Sequence, residues 1–289
     1  MALLLGGCAA KAATLKPTDP NPTAVKPAAA PASSLRPFNE VIKEAKASPG
    51  FFSLWRQDEK VWIEIKPEQF DQPFFFAVGV TQGVGERGLY GNMMNRSHVA
   101  AFKRIGNNVQ LIARNPEFTA AKYLPIAQAV RQSFSDSLLA TSSVVSAPHP
   151  ERKSVLVDAN LLLLLTDIPM MATSLEAAYR QPYYFDAKNT SFDTLRNTED
   201  ATGFNVSAHY ALARMILPPQ VPPNVTPPPS VPLPGTLEDV RSLFMGFYYS
   251  LAKLPEPMQA RLADDRIGHF VTTHFDFSSD NKPEPKVRH

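Results

Sequence analysis

The sequence predicts a mainly β protein of the α+β class, built from antiparallel sheets and hairpins with a few short helices. Four stretches carry this prediction, because each shows strand-like alternation or a hairpin pattern: residues 61–65, 99–114, 204–216 and 240–254. In the second stretch, two alternating runs are separated by Gly106-Asn107-Asn108, and glycine and asparagine tolerate the positive φ of a tight turn. The predicted sheets are therefore antiparallel.

Shorter elements are predicted between these stretches. Further strands are expected at residues 51–56, 74–81, 129–134, 138–146 and 154–158. The stretch 74–81 is apolar on both faces, which indicates a central strand. Short helical segments are expected at residues 40–47, 66–68 and 175–180, and Asn39 is the predicted N-cap of the first. The apolar run 161–165 is too short to cross a bilayer and is expected to be buried in the core.

Residues 218–235 form a proline-rich segment, PPQVPPNVTPPPSVPLPG. Proline has no amide hydrogen, so this segment cannot pair inside a sheet, and it favours polyproline II. Because long strands are predicted on both sides of it, we expect a stiff surface loop that joins two adjacent strands. A ligand for a proline-recognising domain is the functional alternative.

Composition limits the classes of function. The 289 residues carry a formal net charge of only +2, which gives no electrostatic argument for binding nucleic acid. Hydrophobic residues make up 44% of the chain and charged residues 19%, as expected for a globular protein. Cys8 is the only cysteine, so an intramolecular disulfide and a cysteine-based zinc site are both excluded.

The N-terminus, MALLLGGCAA, resembles a bacterial lipoprotein signal in which the cysteine is acylated. Residues 1–8 are interpreted as the remnant of that signal, although the basic region that normally opens it is missing. Residues 9–36, rich in alanine and proline, are expected to be a disordered tether. The resemblance implies that Cys8 anchors the chain to a membrane, and Ala9 fits sorting to the outer membrane. The alternative is an unstructured terminus with an incidental cysteine.

Residues 83–88, Gly-Val-Gly-Glu-Arg-Gly, match the dinucleotide pattern GxGxxG after a predicted strand. A nucleotide site needs a helix directly after the glycines, whose N-terminus meets the phosphates. The next residues, LYGNMMNRSH, have no helical apolar stripe, and the acidic residue expected about twenty positions later is replaced by Asn107 and Asn108. A flexible loop is therefore predicted here, with no cofactor.

The histidines do not form a recognisable metal motif. The densest polar stretch is residues 261–277, RLADDRIGHFVTTHFDF. If residues 267–275 form a strand, His269 and His274 point to opposite faces and cannot bind one ion, whereas His274 and Asp276 share a face. His98 and His209 lie singly in predicted strands and are expected to be satisfied or surface histidines. No catalytic, cofactor-binding or metal-binding residue is nominated in this chain.

Three stretches together resemble the N-terminal region of bacterial zinc-dependent metalloproteases of the HExxH class, which carry two N-terminal domains of unknown function. They are residues 50–85, 203–215 and 258–277, and RLADDRIGHF is the most distinctive motif among them. The resemblance implies a first module at residues 37–90 and a β-rich domain at residues 91–289, preceding a peptidase domain. Zinc is implied only in that peptidase domain, because HExxH does not occur in these 289 residues.

The sequence therefore predicts a non-catalytic N-terminal portion of a cell-envelope metallopeptidase, which supports or shields a catalytic domain encoded downstream. The first alternative is a stand-alone lipoprotein of the outer membrane, facing the periplasm or the exterior, that binds a peptide or glycan on a β-sheet surface. The second is an enzyme in its own right that uses scattered carboxylates and histidines.

Overall fold

A computed structural model of the chain describes residues 35–217, 220–224, 226, 232–256, 272–278 and 284–288. All of these residues fall in one compact unit. Cys8, residues 9–34 of the predicted tether, His269 and most of the stretch 261–277 lie outside the described residues. The last residue of the predicted tether, Arg36, is ordered against the body, because its carbonyl accepts the Ala147 amide at 2.8 Å. No helix in the described part of the chain is long and apolar enough to span a bilayer.

The described residues form three sheets, which confirms the predicted mainly β fold with antiparallel pairing. The strands are β1 (Lys46–Ser48), β2 (Ser53–Gln57), β3 (Lys60–Ile65), β4 (Phe74–Gln82), β5 (Met93–Ile105), β6 (Asn108–Ala113), β7 (Phe118–Thr119), β8 (Ser137–Ser143), β9 (Val155–Asp158), β10 (Tyr183–Phe185), β11 (Ser191–Asn197), β12 (Ala201–Leu212), β13 (Ser242–Ala252), β14 (Thr272–Asp276) and β15 (Glu284–Arg288). The helices are α1 (Phe38–Val41), α2 (Ile126–Ser133), α3 (Ala159–Leu163) and α4 (Met171–Tyr179), with 3₁₀ turns at Pro67–Gln69 and Ala187–Asn189.

The largest sheet has eight strands and curls into a half-barrel. Its order is β10-β12-β13-β4-β5-β6-β8, and β11 also pairs with β12. The predicted central strand is confirmed, because β4 lies between β13 and β5 and pairs antiparallel with both. A four-stranded sheet has the order β1-β2-β3-β9, and a three-stranded sheet has the order β15-β14-β7.

The core lies on the inner face of the half-barrel, where alternate residues of β4, β12 and β13 are buried. Phe52, Phe74 and Phe102 form an aromatic cluster in it, with ring centroids 5.1–5.4 Å apart. Burying a side chain of this size contributes about 1.5–3 kcal/mol. This cluster joins the four-stranded sheet to the eight-stranded one, because Phe52 precedes β2 while Phe74 and Phe102 lie in β4 and β5.

The predicted proline-rich loop lies where expected, between the paired strands β12 and β13. Within residues 218–235, the structure describes 220–224, 226 and 232–235, and none of them is in a helix or strand. The two flanking strands are shorter than predicted, since β12 ends at Leu212 and β13 begins at Ser242.

Two predicted elements were wrong. Residues 129–134 were expected to form a strand, but they lie mostly in α2, where Ala127 and Val130 are buried at helical spacing. The helix predicted over residues 40–47 is limited to α1, with Pro37 rather than Asn39 at its N-cap. Lys46–Ser48 instead form β1, because pairing with β2 satisfies their backbone groups.

Two other helical predictions were partly right. The predicted turn at residues 175–180 is the second half of α4, whose C-cap Arg180 has a left-handed φ of 50°. The apolar run 161–165 lies in α3 and the residues after it. Leu162, Leu163 and Leu164 are buried there, whereas Leu161 and Leu165 are exposed.

The predicted boundary between residues 90 and 91 falls in the loop between β4 and β5. Seven residues of β5 between Met93 and Ala100 pair with β4, and so the two predicted segments share one sheet. At the far end of the chain, β14 pairs parallel with β7, and Phe275 stacks on Phe118 with ring centroids 5.5 Å apart. His274, in β14, is buried.

A buried carboxylate connects strands β2 and β3 of the four-stranded sheet to the loop before β9. Glu64 is 4% exposed and accepts hydrogen bonds from Trp55 Nε1 (2.9 Å), Arg152 Nε (2.9 Å) and the Ser154 hydroxyl (2.5 Å). Burial raises the pKa of Glu64, but the hydrogen bonds from Ser154, Trp55 and Arg152 outweigh burial and place the pKa below the ordinary value of 4.5. The carboxylate is therefore charged in the folded protein at neutral pH.

Replacing Glu64 with glutamine is expected to lower the free energy of unfolding by about 2 kcal/mol near neutral pH, because charge-assisted hydrogen bonds are lost. Because the folded pKa is depressed, this contribution is present above the unfolded-state pKa and disappears as the pH falls through the folded pKa. Urea unfolding at a series of pH values is expected to show the difference between wild type and Glu64→Gln shrinking below about pH 4.5.

The matched control is Glu68→Gln, because Glu68 is exposed in the neighbouring 3₁₀ turn. That variant should stay within about 0.5 kcal/mol of wild type at every pH. A difference for Glu64→Gln that stays constant on acidification would contradict the assigned role of the carboxylate.

Candidate functional site

The GxGxxG stretch lies in the loop that joins β4 to β5, and no helix follows it. The loop closes on itself through backbone hydrogen bonds, since the amides of Val84 and Gly85 both donate to the carbonyl of Leu89, at 2.8 and 3.0 Å. Gly85 and Gly88 have φ values of +89° and +78°, and a Cβ on Gly83 would collide with the Leu89 carbonyl. Loop geometry therefore explains these glycines. The stretch is a loop, as predicted, but hydrogen bonds hold it in place where a flexible loop was expected.

Both flanks of the loop are attached to other elements. Glu86 Oε1 accepts the Tyr179 hydroxyl of α4 and the Gly235 amide, each at 2.9 Å. The Thr236 hydroxyl donates to the carbonyl of Val84 at 2.7 Å. Burial and the Glu86 carboxylate raise the pKa of Tyr179 well above its usual range, so this hydroxyl remains a donor. The loop is thus fixed between α4 and the segment that leads into β13.

A cleft of about 750 Å³ opens between this loop, the start of β5 and α4. Its lining is rich in methionine, with Met93, Met94, Met171 and Met245. Met94 is 74% exposed. Unbranched thioether side chains adapt their shape to an apolar partner. The cleft therefore offers adaptable methionine side chains within a lining that exposes more polar than apolar surface, and its volume is that of a binding site.

Two arginines, Arg87 and Arg96, also line the cleft, and no aspartate or glutamate does. Arg87 has a left-handed φ of 52°, and its guanidinium Cζ lies 5.7 Å from the centre of the Tyr179 ring. Arg96 is exposed, and its side chain makes no hydrogen bond or ion pair with any residue that the structure describes. The electrostatic character of the cleft is therefore cationic.

Strand β5 carries an irregularity beside the cleft. The register of its pairing with β4 shifts between Val78 and Gly79, which face Arg96 and Met94, so Asn95 is an extra residue. Such a bulge changes the direction of neighbouring side chains. Here it allows Met93, Met94, Asn95 and Arg96 all to line the cleft.

His98 follows on the same strand, directly opposite the buried Phe76. Burial and the charge of Arg96 lower the pKa of His98, so its imidazole is neutral near pH 7. His98 Nε2 is buried and has no hydrogen-bond partner among the described residues. The expectation of a satisfied or surface histidine was therefore wrong for this position.

The sequence analysis missed a second polar cluster, which consists of Asp186 before the second 3₁₀ turn, His209 of β12 and Ser242 of β13. His209 Nδ1 lies 2.9 Å from Asp186 Oδ2, and His209 Nε2 lies 2.6 Å from the hydroxyl of Ser242. Hydrogen bonds from Asn189 and His209 lower the pKa of Asp186, so the carboxylate accepts the Nδ1 proton and Nε2 accepts from serine. His209 itself is 8% exposed, and both its nitrogens are satisfied, as expected.

Ser242, His209 and Asp186 have the order and distances of a nucleophilic relay. Acyl transfer also needs backbone N–H groups that point at the developing oxyanion. The two amides at the serine are both occupied, because Ser242 N donates to the carbonyl of Asp239 and Arg241 N to its carboxylate. The relay is therefore better explained as a tie between the Asp186 turn and the first residue of β13.

Sequence signals could not have found this cluster. Its members are 23 and 33 residues apart in the chain, and only the register of β12 on β13 brings Ser242 beside His209. The cleft had a partial signal, because the glycine-rich loop and the neighbouring Met93-Met94 pair were visible in the sequence. The contribution of α4 required the tertiary structure.

The described residues do not fit a zinc site. No group of three or more His, Cys, Asp and Glu side chains within the described ranges is arranged to hold a metal ion. His274 and Asp276 both lie in β14, while His269 is outside the described residues.

Residues 91–288 match the model of a protein family described as a domain of unknown function, DUF5117. The match begins just before β5 and includes α4, β12 and β13, but the glycine-rich loop and β4 precede it. Comparisons with curated proteins and with solved structures gave no match.

Replacing Tyr179 with phenylalanine tests the anchoring of the loop. The variant loses the hydrogen bond to the Glu86 carboxylate, and we expect the free energy of unfolding to fall by about 1.5 kcal/mol. Amide hydrogen exchange at Val84, Gly85 and Leu89 is expected to become faster. Tyr184→Phe is the control, because Tyr184 is exposed. Unchanged exchange in Tyr179→Phe would show that the hydroxyl does not fix the loop.

Labelling with a fluorophosphonate tests the interpretation of the relay. Because the amides at Ser242 are occupied, Ser242 is expected to react no faster than an ordinary surface serine, as measured by mass spectrometry of the intact chain and its peptides. A serine hydrolase treated in parallel is the positive control. A stoichiometric adduct at Ser242 that disappears in His209→Gln would make the cluster a reactive centre.

Proposed function

This chain belongs to the DUF5117 family, and we propose that it is the non-catalytic N-terminal portion of a zinc-dependent metallopeptidase of the cell envelope. In this proposal, the chain supports or shields a catalytic domain. Zinc binding and peptide hydrolysis are assigned to that other domain, because HExxH does not occur in the 289 residues.

The observation that carries the proposal is the way in which the first resembling stretch, residues 50–85, meets the family-matched segment in one sheet. Residues 50–85, which resemble the first module of the metalloproteases, supply β2, β3 and β4. Strand β4 then pairs with β5 and β13, which belong to the family-matched segment. Because β4 of the first module lies between β5 and β13 of the second, the two modules form one rigid sheet. Such a sheet can support a domain that follows it.

The location of this platform is part of the same proposal. Acylation of Cys8 anchors the chain in the outer membrane, and residues 9–36 connect that anchor to the folded body. An alanine- and proline-rich segment of this kind spans up to about 3 Å per residue. The body therefore faces the periplasm or the exterior at some distance from the lipid surface.

The test compares the 289-residue chain with the same chain extended by the sequence encoded directly after His289. The extended protein is expected to contain HExxH, to bind about one zinc per chain and to cleave casein. The 289-residue chain is expected to do neither, as measured by metal analysis and a casein assay.

The matched control is the extended protein with the motif glutamate replaced by glutamine, which should keep zinc and lose cleavage. An unrelated downstream sequence, or zinc-dependent cleavage by the 289-residue chain alone, would overturn the proposal.

The second candidate is a stand-alone lipoprotein that binds a peptide or glycan on a β-sheet surface. The observation that favours it is the methionine-rich cleft, with Arg87 and Arg96, beside β5. The cleft is compatible with both proposed functions, because a supporting module of a peptidase can also bind peptide chains.

A further inference from the structure

We propose that the cleft and the adjoining edge of β5 bind an extended peptide that turns both carboxylate and large apolar side chains towards the cleft. The peptide adds to the sheet as a further strand. This inference rests on the second candidate function and deepens it by naming the class of ligand, and it needs only the residues of this chain and no catalytic domain.

The first argument is the open edge of β5. This strand has 13 residues and pairs with β4 over Met93–Ala100, but with β6 only over Ala100–Ile105. One further backbone hydrogen bond lies on the β6 side of β5, from the Arg114 amide to the Val99 carbonyl at 2.7 Å. Over residues 93–98, no strand in the described part of the chain covers this edge.

The unpaired backbone groups on this edge are those that a peptide strand needs. In an antiparallel strand, the N–H and C=O of one residue point to the same side, and alternate residues share that side. Because the Val99 carbonyl points towards β6, the N–H and C=O of the exposed Ser97 point to the open edge. An extended peptide can therefore form main-chain hydrogen bonds there.

The positive charge of the cleft indicates that the ligand carries negative charge. Arg87 and Arg96 line the cleft, and no acidic side chain of the described residues does. Glu86, the neighbour of Arg87 in the chain, already accepts hydrogen bonds from Tyr179 and Gly235. Arginine binds carboxylates through paired hydrogen bonds. The peptide is therefore expected to be acidic.

The methionines explain the apolar part of the ligand. Met93 and Met94 are exposed next to the open edge, while Met171 of α4 and Met245 of β13 lie deeper in the cleft. Side chains on one strand alternate between two faces, so every second side chain of a bound strand points towards the cleft. Because the arginines and the methionines line the same cleft, that face of the peptide carries both carboxylate and large apolar side chains. A glycan cannot supply the main-chain pairing.

The experiment measures fluorescence anisotropy of the full 289-residue chain with a labelled ten-residue peptide in which every second residue is serine and the residues between are aspartate, leucine and phenylalanine, so that one face carries both carboxylate and apolar side chains. Binding is expected below about 1 mM. The same peptide with lysine in place of aspartate, and the same peptide with N-methylated amides along one edge, are each expected to bind at least about tenfold more weakly. Amide hydrogen exchange should slow at residues 93–98 when the acidic peptide is bound.

The matched variants are Arg96→Gln and Arg104→Gln. Both arginines lie in β5 and are exposed, but Arg104 lies outside the cleft. Arg96→Gln is expected to weaken binding about tenfold and Arg104→Gln to leave it unchanged. Urea unfolding of both variants verifies that they remain folded.

Four results would overturn the proposal: no binding of the acidic peptide, equal binding of the lysine peptide, equal effects of the two variants, or competition by a neutral oligosaccharide. Protection of residues 93–98 that depends on protein concentration, with dimers in sedimentation, would assign the edge to a second copy instead. None of these results bears on zinc or casein cleavage by the extended protein, so the two proposals fail independently.

Discussion

Strand β4 pairs with β13 along one edge and with β5 along the other, and this double pairing determines where most other elements lie. Its residues Phe74, Phe76, Val78 and Val80 are buried on the inner face of the half-barrel, so the strand is both a hydrogen-bonding centre and a part of the core. The two neighbours of β4 are far apart in the chain, because β5 begins at Met93 and β13 at Ser242. The sheet therefore forms only when a long loop closes, which costs conformational entropy. Burial of the β4 side chains offsets that cost.

The cleft follows from the same arrangement. The β4–β5 loop is too long and too rich in glycine to be a tight hairpin, and it folds back against α4 through Glu86 and Tyr179. The bulge at Asn95 then turns the first residues of β5 towards the space below the loop. Because β6 pairs only with the second half of β5, one edge of the first half is covered by no strand of the described residues. Apolar surface, positive charge and unpaired backbone thus occur at one place.

Two polar clusters elsewhere in the body are satisfied, whereas the buried hydroxyl of Tyr249 in β13 has no hydrogen-bond partner among the described residues. Glu64 has three donors, and His209 has a partner on each ring nitrogen. These groups connect segments that the strands alone do not hold together, and burial strengthens such hydrogen bonds. Arg96 and His98 Nε2, both in β5, have no such partner among the described residues.

The sequence by itself determined the class of the fold, the central position of β4, the hairpin of β5 and β6, and the loop nature of the glycine-rich stretch. These are local properties, because alternation, turn residues and prolines act within a few positions. The sequence failed at residues 46–48 and 129–134, where pairing with β2 and one-sided burial of α2 decided the outcome. Only the tertiary structure decided the cleft, the free edge of β5 and the contact of Ser242 with His209, because each depends on the register between strands distant in sequence.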